Sequence, residues 1–233
     1  MLFTCQTIGE GMKKILLLSI AASMMFLAGC KTKVQTPVSY TEIFSEPKTK
    51  IGVLEVEVPS CTDLSNKFES NSVIEAKQKI PYVIPEAKYE KCYNQDFHSF
   101  AVFNVPFQVG GVKEDCKDNQ VCVYHSHNGV YGNIMVGKEI LSRAKEISRS
   151  FNGNDLEFSI ILDNDTGNKL NLFIIAAFSG GQPFYKTDVT VNKDAKNVDL
   201  LMDNVGASVL LQGNYVNMFL DRDKEKSFLE QKK

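Results

Sequence analysis

The chain of 233 residues contains no tryptophan, only three histidines and seven prolines, and no excess of either charge. It also lacks any apolar run of the roughly 20 residues that a membrane-spanning helix needs. Each shortage excludes something. With 26 basic and 28 acidic residues and no basic cluster, the chain offers no electrostatic footprint for nucleic acid. No G-x-S-x-G, H-E-x-x-H, P-loop or G-x-G-x-x-G pattern occurs, so no familiar catalytic or nucleotide-binding set is in place and no cofactor is implied. Core-forming material is present nonetheless, in 15 Phe and 8 Tyr. No internal repeat or low-complexity tract interrupts the chain.

The longest apolar run covers residues 15–29 within "MKKILLLSIAASMMFLAGCKTK". Lys13 and Lys14 precede it and small residues close it, the order of a secretory signal rather than a membrane anchor. It ends Leu27-Ala28-Gly29-Cys30, and this tetrapeptide resembles the lipobox of bacterial lipoprotein precursors. The resemblance implies cleavage before Cys30, a lipid on its thiol, and an acyl chain such as palmitate on its new amine. Two or more acyl chains anchor a protein stably where one does not. With Lys31 rather than an acidic residue after the cysteine, the resemblance points to the outer membrane, with the domain facing the periplasm or the cell surface. Residues 1–11, "MLFTCQTIGEG", place Cys5 and Glu10 ahead of the lysines, where a signal expects its basic segment first. Translation is therefore expected to begin at Met12. Removal of residues 1–29 takes away Lys13, Lys14 and Glu10, leaving 24 basic and 27 acidic residues in 204.

Four further cysteines, Cys61, Cys92, Cys116 and Cys122, form an even set in an exported chain and read as two disulfides, for which three pairings exist. The favoured pairs are Cys116 with Cys122 and Cys61 with Cys92. Loop-closure entropy assigns them roughly 2 and 3.5 kcal/mol respectively. A four-thiolate metal site lacks the paired C-x₂-C spacing it would need.

Residues 30–50 are polar, contain Pro37 and Pro47, and read as a lipidated cysteine with its tether. A single domain is expected over 51–220 and a solvated charged tail over 221–233. "IGVLEVEV" alternates as a half-buried strand, followed by a helix capped at Asp63 or Ser65 and stopped by Pro81 and Pro85. "FHSFAVFNVPFQV" is a strand whose Pro106 marks an edge or bulge. "VCVYHSHNGVYGNIMV" reads as a hairpin turning at Asn128-Gly129. Val136, Ile140, Ala144 and Ile147 then share one face of a second helix, ended by Asn152-Gly153-Asn154. "LEFSIIL" and "KLNLFIIAAF" suggest a further hairpin, and "DVTV", "VDLLM", "ASVLL" and "YVNMFL" a closing meander. The expected class is α+β: a mainly antiparallel sheet with about two helices, stapled by disulfides.

Few residues suggest chemistry. His125 and His127, two apart in a strand, would share a face and could bind zinc or copper, with His98 as the only third imidazole. No carboxylate or thiolate partner accompanies them in the pattern, so they read as polar residues of a surface hairpin, with no metal assigned. Ser126 lies between them but faces the other way. "DNDTGN" has its glycine one position early for a calcium loop and Ile174 where a bidentate Glu is required, so it reads as a turn. "FSGGQPF" reads as a flexible connection.

These observations favour a non-catalytic binding module in the cell envelope, held by its lipid and engaging an envelope protein or a cell-wall partner. Small cysteine-stapled lipoproteins of phages and other mobile elements are similar in plan. The alternatives are an envelope metal-dependent hydrolase built on the His125/His127 pair and a passive structural part of an envelope assembly.

Overall fold

The computed structural model describes residues 31–63, 65, 67–147 and 156–232. The signal segment, Met12, Cys30 and the helix end at Asn152-Gly153-Asn154 lie outside the described residues. Eleven strands and five short helices follow one another: β1 (Thr32–Ser39), α1 (Tyr40–Ile43), β2 (Lys48–Val58), α2 (Asn71–Val83), β3 (Lys88–Gln95), β4 (His98–Val109), β5 (Val121–His125), β6 (Tyr131–Val136), α3 (Lys138–Ile147), β7 (Leu156–Asp163), β8 (Leu170–Ser179), β9 (Gln182–Val191), β10 (Val198–Met202), α4 (Asn204–Leu211), β11 (Val216–Asp221) and α5 (Arg222–Glu230).

The sheet closes on itself. Its path runs β10-β7-β1-β2-β4-β5-β6-β11-β8, and β10 pairs with β8 as well as β7, sealing a nine-stranded barrel. This overturns the expected α+β class: strand accounts for 47% of the chain, and the five helices are short. The ladders β1–β7 and β4–β5 are parallel. Closure rests on β1, which pairs over its whole length with β7 and antiparallel to β2 on its other side. Two strands remain outside the barrel path: β3 pairs β4, and β9 pairs β8.

Alternation explains which faces turn inward. Leu54, Val56 and Val58 of β2 are buried, while Glu55 and Glu57 between them are not; period-two patterning puts the apolar set on one face. Phe107 meets Phe158 edge to face, with ring centroids 6.3 Å apart. That contact needs Gly52, because a Cβ there would meet the Phe107 ring and lie 2.6 Å from the Gln35 carbonyl oxygen.

Several local expectations change. The segment 31–50 carries β1, α1 and the start of β2, with Val34, Val38, Tyr40 and Ile43 buried. The charged stretch from Asp221 forms α5, whose cap Asp221 is itself 4% exposed. α2 starts at the Ser70 cap, whose hydroxyl accepts from the Val73 amide at 3.3 Å, not at Asp63 or Ser65. It also continues through Pro81, which stands in its last turn and forgoes only its own amide donor. Pro106 lies inside the barrel wall rather than at an edge: β3 ends opposite Asn104 and β5 begins opposite Gln108, so the proline occupies the gap where β4 changes neighbours. β7 and β8 form no hairpin, since β10 lies between them. "ASVLL" belongs to α4, capped by Asp203, whose carboxylate accepts from the Gly206 amide at 2.7 Å. Gly180 and Gly181 make a two-residue turn with positive φ at both, joining paired Ser179 and Gln182.

Both expected disulfides are present, Cys61 with Cys92 and Cys116 with Cys122. The first fastens the loop before α2 to β3; the second fastens the loop after β4 to β5.

Candidate functional site

The flank formed by β5, β6 and β11 shows the opposite of the core pattern. Tyr124 pairs with Asn133, and Asn133 with Asn217, so the three side chains leave the sheet on one face. Their neighbours Val123 and Ile134 are buried and belong to the core. Tyr131 and Tyr215 follow on the same face by the two-residue period. Over them lies the loop bearing a 3-10 turn at Lys113–Asp115, held down by the Cys116–Cys122 bridge. The Lys113 ammonium stands 5.1 Å above the Tyr215 ring. Together these groups enclose an open cleft of about 570 Å³, within the range usual for small-molecule sites.

The cleft is polar and aromatic at once. Tyr124 and Asn133 are 2% and 3% exposed, yet among the described residues neither the Tyr124 hydroxyl nor the Asn133 Oδ1 has a hydrogen-bond partner. Leaving such groups unpaired costs about 1–3 kcal/mol each. Burial raises the Tyr124 phenol well above its ordinary range, with Tyr215 and Glu114 adding to the effect. It is a neutral hydroxyl, a donor and an acceptor rather than a base. Charges at the rim are mixed: Lys113 is balanced by Glu114, whose carboxylate lies 3.0 Å from the His127 Nε2. The Glu114 carboxyl is held below its usual range by its own backbone amide and then by His127.

The predicted histidines are divided. His125 and His127 both line the cleft, and His125 pairs with Gly132 as the hairpin register required. His127 lies beyond the strand, in a turn where the Gly129 amide donates to the Ser126 carbonyl at 2.7 Å and Gly129 takes a positive φ. His125 stacks on Phe44 at 5.8 Å, and its Nδ1 lies 2.9 Å from the Ser126 carbonyl oxygen. His98 starts β4 and pairs with Glu57, whereas β5 begins only beside the far end of β4, so the three imidazoles do not converge. Among the described residues no group of three or more His, Cys, Asp or Glu is placed to hold a metal ion. "DNDTGN" forms an Asx turn: Asn164 Oδ1 accepts from the Thr166 amide at 3.1 Å, and its Nδ2 donates to the Asn168 and Asn192 carbonyls. Among the described residues no helix is long and apolar enough to cross a membrane.

Sequence reasoning missed Tyr124, Asn133, Tyr215 and Asn217. One signal was available: Asn133 and Asn217 each interrupt an apolar strand at the position facing away from the core.

Fold and cleft together define a closed β-barrel with a polar, aromatic cleft on its flank. The chain belongs to the family described as Domain of unknown function (DUF7424), which matches residues 32–225. No curated protein and no solved structure matches it.

Proposed function

We propose that the protein is an outer-membrane-anchored, non-catalytic binding module whose flank cleft takes an uncharged, hydroxyl- and amide-rich partner, in chemical class a cell-wall glycan. The observation that carries this reading is the lining of the cleft, where Tyr124, Tyr131 and Tyr215 stand beside the amides Asn128, Asn133 and Asn217. Aromatic faces pack against the apolar face of a sugar ring while convergent amides and hydroxyls fix its orientation. The opposite charges of Lys113 and Glu114 at the rim favour a neutral ligand over a strongly charged one.

Calorimetric titration of the full chain in detergent with soluble, uncharged N-acetylhexosamine oligosaccharides tests the cleft. Tyr215→Ala and Asn133→Ala are expected to weaken binding by about tenfold, the equivalent of one lost contact, while His98→Ala leaves it unchanged. Absence of binding, or equal affinity in all variants, sinks the reading.

The anchoring half of the proposal rests on Leu27-Ala28-Gly29-Cys30 and the basic residue after it. Fractionation of cells should place the wild type in the outer membrane and lose that placement in Cys30→Ala. Identical distribution of the two overturns lipid anchoring.

A further inference from the structure

The barrel interior is not filled throughout. At the end where the chain enters lies a cavity of about 150 Å³, reached by Thr32, Val56, Val83, Ile140, Ala144 and Leu156. Among the described residues Thr32 supplies the only hydroxyl of its lining, and the other lining side chains are apolar. Apolar cavities of this size stay dry and accept benzene-sized hydrocarbon. Ile80 of α2 and Ala144 and Ile147 of α3 are only partly buried and mark the opening between the two helices. A polar strap joins those helices: Arg143 donates to the Tyr82 carbonyl at 3.2 Å and the Tyr82 hydroxyl to Glu146 at 2.5 Å.

We infer that this cavity takes the end of a fatty acyl chain from the surrounding membrane. Among the described residues the lining offers a polar ligand nothing beyond the Thr32 hydroxyl, which favours hydrocarbon as the occupant. Position supplies the source. Thr32 lies two residues after Cys30, a reach of about 7 Å at most, so on the lipid-anchor reading, upon which this inference rests, the opening faces the bilayer. An acyl chain entering between α2 and α3 passes the exposed Arg143–Tyr82–Glu146 strap.

The test uses full-length protein in detergent, a fatty acid carrying a diazirine near its methyl end, and peptide mapping after illumination. Labels are expected on lining residues such as Val83 and Ala144, both with the free fatty acid and with a phospholipid bearing the same chain. In Ala144→Phe, which fills the cavity, labelling of the lining drops to background while cooperative melting persists; Val83→Met serves if that variant does not fold. Labels scattered over the surface, or unchanged in a folded cavity-filling variant, overturn the inference. Labelling that occurs only in Cys30→Ala also overturns it, because the protein's own anchor would then be the occupant. Fractionation reports separately on anchoring, and a Cys30→Ala protein that remains labelled and soluble separates the cavity from the anchor.

Discussion

Asp221→Ala is expected to lower the unfolding free energy by about 3 kcal/mol, the sum of a charged hydrogen bond and a helix cap. Asp221 is buried and does two jobs. Its Oδ1 accepts from the amides of Asp223 and Lys224 at 2.9 and 3.0 Å, capping α5, and its Oδ2 accepts from the Tyr40 hydroxyl. Burial, then the Asp221 carboxylate, raises the Tyr40 phenol, so it stays a neutral donor at every ordinary pH. The Lys224 ammonium sits 3.1 Å above the Phe44 ring, where burial lowers its pKa. Alanine at 221 removes the cap and strands the Tyr40 hydroxyl. Asp221→Asn, which retains an acceptor, should lose about 1 kcal/mol, and Tyr40→Phe should lose less than Asp221→Ala. Urea unfolding of the full chain in detergent measures all three. Equal stability of Asp221→Ala and wild type would show that the two chain ends are not fastened here.

The second large effect belongs to the disulfides, and they are expected to differ. Cys61→Ser with Cys92→Ser should cost about 3.5 kcal/mol, and Cys116→Ser with Cys122→Ser about 2, because the stabilisation grows with the loop closed. The sequence separations are 31 and 6. Removing the long staple frees the loop before α2 from β3, a strand paired on one side only, so limited proteolysis should cut near residues 60–70 first. Loss of the short staple releases the Lys113–Asp115 turn from above Tyr215. It should weaken ligand binding at the cleft more than it lowers stability. Mild reduction followed by urea titration separates the two, and equal costs would contradict the loop-length argument.

Local chemistry was legible where neighbours in sequence settle it. The alternation of β2 and the His125–Gly132 register follow from spacing; of the three possible disulfide pairings the favoured one is present. The expected helix face is met only in part, since Val136 ends β6 while Ile140 is buried from α3. The cleft was half legible: His125 and His127 stood out as imidazoles, while Tyr124 and Asn217 lie 93 residues apart and become neighbours only when β11 pairs β6.

Short apolar runs are ambiguous for a physical reason. "ASVLL" has no period long enough to separate strand from helix, and the Asp203 cap decided for helix. The polar look of residues 31–50 hid a strand because Val34, Thr36 and Val38 occupy every second position only.

By itself, then, the sequence determined that four cysteines form an even set and where most strands run. Tertiary structure alone decided that the sheet closes. That closure depends on β1 lying between β2 and a β7 more than a hundred residues downstream, a contact that no local propensity encodes and that only the burial of both faces' apolar sets rewards.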